Sequence, residues 1–340
     1  MDADKFRKKL LFSYLRSSAF ICGSILLLSS CGRSDGAKNE VVLYTSIDQP
    51  YAAAIVKDFE AKTGIDVVLV TDAEATKSVG LAERVRAEKG NPQADVFWSN
   101  EPFHTINLAE EGLLQPHESP SAADVPAQFK DPQHRWASNG LRARVMVVAT
   151  DGPKVSSIFD LRDPSLKDRV AIARPTAGTT GGHVAALYVL WGDEQARKYF
   201  HELRANGVKL LGGNSIVAQA VADGSISAGL TDNDDVAAVR ANGGKIDQVL
   251  PDQPAFGTLM VPTTVGLVAG ATHSEAARQL IDYLLSREVE QKMLELKFVG
   301  WSVRDVAAGK VNAMDVDFAQ VAMTMPRAVR EATAILEGRE

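Results

Sequence analysis

Cysteine is nearly absent from this sequence: 340 residues contain only Cys22 and Cys31. That excludes a disulfide framework and a Cys-rich zinc site. The histidines, at 104, 117, 134, 183, 201 and 273, show no HExxH-type zinc spacing. Positive charge is in deficit, with 37 Lys and Arg against 43 Asp and Glu and a net charge of −6. No basic stripe therefore argues for nucleic acid. Hydrolase signatures are missing too: there is no GxSxG elbow and no SxxK. The one Gly/Thr-rich stretch lacks a following Walker lysine, so it is not an NTPase loop. No internal repeat or low-complexity tract is present. What remains, 45% hydrophobic and 24% charged, is the composition of a globular protein.

The first thirty residues read as a targeting segment. Lys5, Arg7, Lys8, Lys9 and Arg16 form a basic flank. The apolar run from Ala19 to Leu28 is too short for a comfortable membrane span. It ends in Leu28-Ser29-Ser30-Cys31, a small pair before a cysteine, similar to a bacterial lipobox. We expect residues 1–30 to be a lipoprotein signal peptide and Cys31 the lipidated residue. Residues 31–39 are expected to be a flexible tether. The expected location is the periplasm or cell envelope, with the membrane reached through the lipid anchor alone.

The body alternates strand and helix. Val41 to Thr45, Ile65 to Val70 and Ala94 to Trp98 read as buried strands. Between them lie helical patterns at 51–62, stopped by Gly64, and at 78–89, stopped by Gly90-Asn91-Pro92. Residues 112–137 lack periodicity and read as loop with short helix. Two long strands are expected at 142–149 and 257–269. A second series lies between them: strands at 170–173, 208–211 and 227–231, and helices at 181–191, 194–205 and 216–222. Helices at 273–286, 288–295 and 315–336 close the chain. This pattern predicts parallel α/β sheets, with ligands bound at the carboxyl ends of the strands. If the long strands cross between lobes, lobe 1 is 40–140 plus 258–340 and lobe 2 is 141–257.

Two stretches carry chemistry. Asp232, Asp234 and Asp235 follow a buried strand, and carboxylates this close repel unless a cation compensates. They suit a hard metal ion with oxygen ligands, an ammonium group on an organic solute, or an acidic turn capping the next helix. Residues 176–182, TAGTTGG, lie between a strand and a helix. Their hydroxyls and free N–H groups suit an anion, or a Thr cap with a tight turn. Arg142 and Arg144 open the first long strand on one face. Arg142 suits a solute anion bidentately, or a hinge salt bridge.

Several of these stretches resemble the periplasmic ferric-iron binding proteins of ABC importers. The likeness runs in order through VVLYTS, FEAKTGI (59–65), QADVFWSNEPF (93–103), AEEGLL (109–114), RARVMVVAT (142–150), RPTAGTT (174–180) and GNSIVAQAVADGSISAGLTDNDD (213–235). It implies a two-lobed type 2 periplasmic-binding-protein fold with two crossing strands at the hinge. It further implies a monomeric solute-binding protein, not an enzyme, that closes on its solute and docks on a permease and ATPase complex. By the resemblance, Asp48 stands at a family histidine and Asn100, with Glu101 beside it, at a family glutamate. Gly178, Thr179 and Asn214 then fall at the site of a synergistic phosphate or carbonate, and Thr180 beside them is a further candidate ligand. The adjacent tyrosines that many members use for iron are replaced by Asn233-Asp234-Asp235. The expected cargo is ferric or another metal ion with such an anion, held by Asp234, Asp235 and Asp48. The alternatives are a small zwitterion such as 2-aminoethylphosphonate and, further off, the substrate of an exported hydrolase.

Overall fold

The computed structural model describes residues 39–72, 78–176, 178–304 and 311–340. The expected signal peptide, Cys31 and nearly all of the tether lie outside the described residues.

The apolar opening run forms β1 (Glu40–Thr45). Helix α1 (Gln49–Thr63) buries Ala52, Ile55, Val56 and Phe59 on one stripe. It stops at Gly64, whose φ of 67° is left-handed and costs glycine nothing. Then come β2 (Asp66–Thr71), α2 (Val79–Ala87) and β3 (Val96–Ser99). Helix α3 (Phe103–Glu110) was not foreseen. The 112–137 stretch holds β4 (Leu114–Gln115) and single 3-10 turns at 120–122 and 127–129.

Strand β5 (Ala137–Ala149) begins five residues earlier than its apolar run suggests. The second series is β6 (Val170–Ala173), α4 (Gly178–Trp191), α5 (Asp193–Ala205), β7 (Lys209–Leu211) and α6 (Asn214–Ala222). It continues through β8 (Ala228–Asp232), α7 (Asn233–Ala241) and an unforeseen β9 (Ile246–Val249). The chain closes with β10 (Met260–Val268), α8 (Ser274–Leu284), α9 (Arg287–Glu295) and α10 (Phe318–Glu337).

The strands lie in the order β2-β1-β3-β10-β5-β8-β6-β7, with β4 on β10 and β9 on β5. β1 runs parallel to β2 and β3, and β6 parallel to β7 and β8. The two long strands are antiparallel to each other, and β5 changes partners midway. Residues Ala137 to Ala143 pair with β10, whereas Arg144 to Val148 pair with β8. A single strand therefore carries the chain from one set of parallel strands to the other. Twelve of its thirteen residues are buried, so no part of the crossing is a loose linker.

The expected division of lobes places the 315–336 helix in the first lobe; α10 packs on α3 of that lobe and also on α4 and α5. Its apolar stripe, including Val321, Met325, Ala328 and Ile335, shares a core with Val184, Leu187, Tyr199 and Phe200. Burial of that stripe outweighs proximity in sequence.

Helix α4 also lies close to α3. A Cβ on Gly182 would fall 1.9 Å from Cε2 of Phe103, which is fully buried and has nowhere to retreat. Gly182→Ala should lower the unfolding free energy by about 1–3 kcal/mol through overpacking. Urea unfolding would show a lower midpoint at an unchanged m-value. An unchanged midpoint would mean that α3 and α4 are not pressed together in solution.

Candidate functional site

The acidic run sits where β8 ends and α7 begins. Asp235 stands three residues into the turn and accepts hydrogen bonds from the Asp232 N–H at 3.2 Å and the Thr231 hydroxyl at 2.9 Å. Its carboxylate therefore closes the helix N-terminus, where negative charge is favoured. The capping reading of this run is thus correct for Asp235.

Asp232 and Asp234 are buried, and both are paired with arginine. Arg142 donates from Nη2 to both oxygens of Asp234 at 2.7 and 2.8 Å and to Asp232 at 3.0 Å. Its Nε reaches Asp234 at 3.1 Å and its Nη1 the Asn100 carbonyl at 3.3 Å. Arg144 donates from Nη1 to Asp232 at 2.7 Å. Strand alternation places both arginines on one face of β5, as the sequence implied. The cation that three neighbouring carboxylates require is therefore supplied from within the chain.

Asp232 also anchors the Thr-rich stretch. It accepts from the Thr179 hydroxyl at 2.6 Å and from Asn214 Nδ2 at 3.2 Å. Asn214 Oδ1 in turn accepts from Thr180 at 3.0 Å and from Arg144 at 3.0 Å. One carboxylate thus ties together the start of α4, the start of α6 and the end of β8. Gly178 opens α4 with φ 58°, a left-handed turn that brings two hydroxyls to the helix end. A cavity of about 60 Å³ lies against this assembly, lined by Asn100, Arg142, Arg174, Thr179, Thr180 and Asn214 among others. Larger cavities, of about 270 and 710 Å³, lie near the 117–137 stretch and beside Phe318. Neither contains the paired arginines and aspartates.

The charges shift one another. Burial alone would lift the Asp232 carboxyl, but Arg144 and Arg142 hold it below the usual carboxylate range. Burial raises Asp234; Arg142 opposes that rise, while Asp232 and Asp48 add to it. Arg142 is held firmly charged, because Asp234, Asp232 and Asp235 outweigh the cost of its burial. Removing either partner of such a buried pair strands the other charge, at a cost of about 3–5 kcal/mol.

The structure gathers most of the expected site residues here. Gly178, Thr179, Thr180, Asn214, Asp232, Asp235, Arg142 and Asn100 all line the one cavity. Asp234 stands behind them on Arg142. Asn100 is oriented by Ser46 and Ser78, which donate to its Oδ1 at 3.1 and 2.7 Å. Asp48 precedes α1, and its charge is felt by Asp234. Glu101 has a different occupation: fully buried, it accepts from the Phe103 N–H at 2.6 Å and from Ser99 Oγ at 3.3 Å, fastening the start of α3. For a metal, Asp232, Asp234 and Asp235 each bring one oxygen within 4.8 Å of the others. That spacing fits an oxygen-ligated cation. Arg144 shares its strand face with Arg142 as expected, but its pairing with Asp232 and the contact of Asn233 carry no mark in the sequence. The Asn233 side chain accepts the Ala143 N–H at 2.7 Å, locking α7 onto β5 at its change of partner.

Comparison with known proteins follows the same lines. The family model described as bacterial extracellular solute-binding protein matches residues 40–295. Iron uptake protein A1 of Synechocystis is 28% identical over 309 residues, covering 84% of each chain. A putative 2-aminoethylphosphonate-binding periplasmic protein of Salmonella typhimurium is 27% identical, covering 72% of this chain and 73% of that one. Among solved structures, apo ferric ion-binding protein A of Pasteurella haemolytica superposes with TM-score 0.77 at 22% identity, covering 87% of this chain and 98% of its own. AfuA of Actinobacillus pleuropneumoniae, bound to fructose 6-phosphate, gives TM-score 0.76 at 22% identity, with 88% and 98% covered. The fold is thus the two-lobed α/β fold of periplasmic binding proteins, and β5 is the strand that passes from one set of parallel strands to the other.

One residue behind the cavity makes the site testable by pH. His183 lies one helical turn beyond Thr179, and burial and Arg144 push its imidazole down to about 3. The folded chain keeps it neutral, whereas the unfolded chain protonates it near its ordinary value of about 6.5. Its share of stability is complete above that value and is lost as pH falls toward about 3. His183→Gln should remove this loss, a difference of up to about 1.4 kcal/mol per pH unit inside the window. Identical pH profiles in denaturant unfolding would mean that His183 is not held neutral.

Proposed function

Because this chain belongs to the bacterial extracellular solute-binding proteins, we propose that it captures a solute for an ABC importer through an oxyanion seated on Thr179, Thr180 and Asn214. The observation that carries this reading is the convergence of two helix starts, α4 and α6, on one cavity whose underlying carboxylate is already neutralised. Asp232 would repel an anion if left bare, but Arg142 and Arg144 cancel its charge. What faces the cavity beside the neutralised pair is hydroxyl, amide, the positive ends of two helices and Arg174, together with the Asp235 carboxylate, which accepts from the Thr231 hydroxyl and the Asp232 N–H. The family consists of solute-binding proteins rather than enzymes, which removes the hydrolase alternative. A permease and ATPase complex is the partner this role requires, and the monomer the form that docks on it.

The oxyanion can arrive in two ways. It can be phosphate or carbonate beside a ferric or other metal ion, as the name of the Synechocystis relative supports. In that case Asp234 and Asp235, with Asp48, supply oxygens, and the metal must draw Asp234 away from Arg142. It can instead be part of a zwitterion such as 2-aminoethylphosphonate, as the name of the Salmonella relative supports. That cargo leaves the arginine–aspartate pairs intact.

The protein is placed outside the cytoplasm by its family. Among the described residues no helix is long and apolar enough to cross a membrane. We read Cys31 as the lipid anchor, supported by the basic flank, apolar run and small pair before it. Cys31→Ser should move the protein from the membrane fraction to the soluble fraction, measured by fractionation and immunoblot. Retention in the membrane fraction would sink the anchor.

The solute reading is tested by thermal shift with phosphate, 2-aminoethylphosphonate, and ferric citrate with and without phosphate. A bound ligand at ~100 times its dissociation constant should add about 2.7 kcal/mol. Thr180→Val, which removes one hydroxyl, should weaken anion binding about tenfold. Stabilisation by ferric citrate alone, with none from any phosphorus oxyanion, would refute the oxyanion seat.

A further inference from the structure

The oxyanion seat is built almost wholly from α4, α6 and β8. From the β1–β3 side, Asn100 alone among the described residues lines the cavity. On that side, however, α1 brings an aromatic residue to the same arginine–aspartate pair. Tyr51 occupies the first turn of α1. Its ring centroid lies 4.9 Å from that of Phe298, tilted by 39°. The Phe298 ring in turn lies 5.2 Å from the guanidinium carbon of Arg142, which grips Asp234. Tyr51 thereby stands one aromatic ring away from the central cation of the site, outside the lining of the small cavity itself.

Its two ends differ. The ring body is fixed on Phe298, and the residue is half-buried. The hydroxyl makes no hydrogen bond among the described residues, although the charges of Asp234, Asp48, Asp235 and Arg142 all reach it. Tyrosines with a packed body and an uncommitted tip are recognition groups, because the rigid ring presents its hydroxyl at little entropic cost. Burial first, and then the three aspartates, raise the phenol above its ordinary value, so the proton stays on. The group offered to a solute is a hydrogen-bond donor.

We infer that Tyr51 is a specificity-determining residue, whose phenol donates a hydrogen bond to an acceptor oxygen on the solute beyond its oxyanion. The inference rests on the oxyanion reading and narrows it to a class: organic phosphates or phosphonates that carry a hydroxyl or carbonyl oxygen away from phosphorus. A bare oxyanion would fill the Thr179–Asn214 seat without using Tyr51. A phosphonate with only an ammonium at its far end would offer the phenol no acceptor.

The test is isothermal titration of the wild-type protein and of Tyr51→Phe with inorganic phosphate, 2-aminoethylphosphonate and fructose 6-phosphate. The phenylalanine keeps the ring on Phe298 and removes only the hydroxyl. Phosphate and 2-aminoethylphosphonate should bind both proteins within about twofold of each other, which also shows that the variant folds. Fructose 6-phosphate, a hydroxylated ester, should lose about five- to tenfold in affinity, the worth of one hydrogen bond. Equal affinity of the two proteins for the ester, or no wild-type binding of the ester beside clear binding of phosphate, overturns this inference and leaves the oxyanion seat standing. Failure of the wild type to bind any of the three overturns both. A visible charge-transfer band on adding ferric citrate, lost in Tyr51→Phe, would make the tyrosine a phenolate ligand and also overturn its role as a donor.

Discussion

The structure depends on a buried group of four charges, Arg142 and Arg144 from β5 with Asp232 and Asp234 from the turn between β8 and α7. Ions taken out of water are tolerated only when paired and hydrogen-bonded. Each of these is paired and neighbouring groups add further hydrogen bonds, while Nε and Nη2 of Arg144 have no hydrogen-bond partner among the described residues. Thr179 and Asn214 satisfy Asp232, while Asn100 accepts from Arg142. Because the partners come from β5, β8, α4, α6, α7 and the end of β3, the charges set the mutual placement of elements far apart in sequence. The small cavity proposed to seat an anion lies against that arrangement.

Much of the fold was legible in the sequence because its elements obey simple periods. β6 lies where its apolar run ends it, and α5 differs from its expected bounds by a single residue at its start. The failures have physical causes. α3 starts at a buried Phe103 after Pro102, without a Ser or Thr cap, and its cap is the Glu101 carboxylate, whose role cannot be seen from spacing. β9 has only two apolar residues, Ile246 and Val249, and becomes a strand by pairing with β5. The first five residues of β5, Ala-Ser-Asn-Gly-Leu, read as loop. They extend because β10 offers them a ladder, with an irregularity at Thr263/Thr264 that accommodates the step.

The site was legible in part. Asp232, Asp234 and Asp235 stood out by density, and the Gly/Thr stretch by its place between strand and helix. Their relation did not, since Arg142 and Asp232 are 90 residues apart and meet only because β5 changes partner between Ala143 and Arg144. Composition signals an excess of acid; it does not show which arginine answers it. The family resemblance singled out residues that the structure gathers round one cavity, while the particular occupations of Glu101 and Asp235 came from hydrogen-bond partners alone. Tyr51 carried no signal at all, because its neighbours in space, Phe298 and Asp234, lie on other elements.

The change of partner within β5 has a consequence for how such a chain can vary over descent. Side chains on a strand alternate between faces, so inserting or deleting one residue between Arg142 and Arg144 would turn one arginine to the opposite side. The ladder to β10 or the ladder to β8 would slip with it. Exposed surface loops can change length far more readily than this crossing. New cargo must therefore arise here by exchange of side chains at constant length, one position at a time.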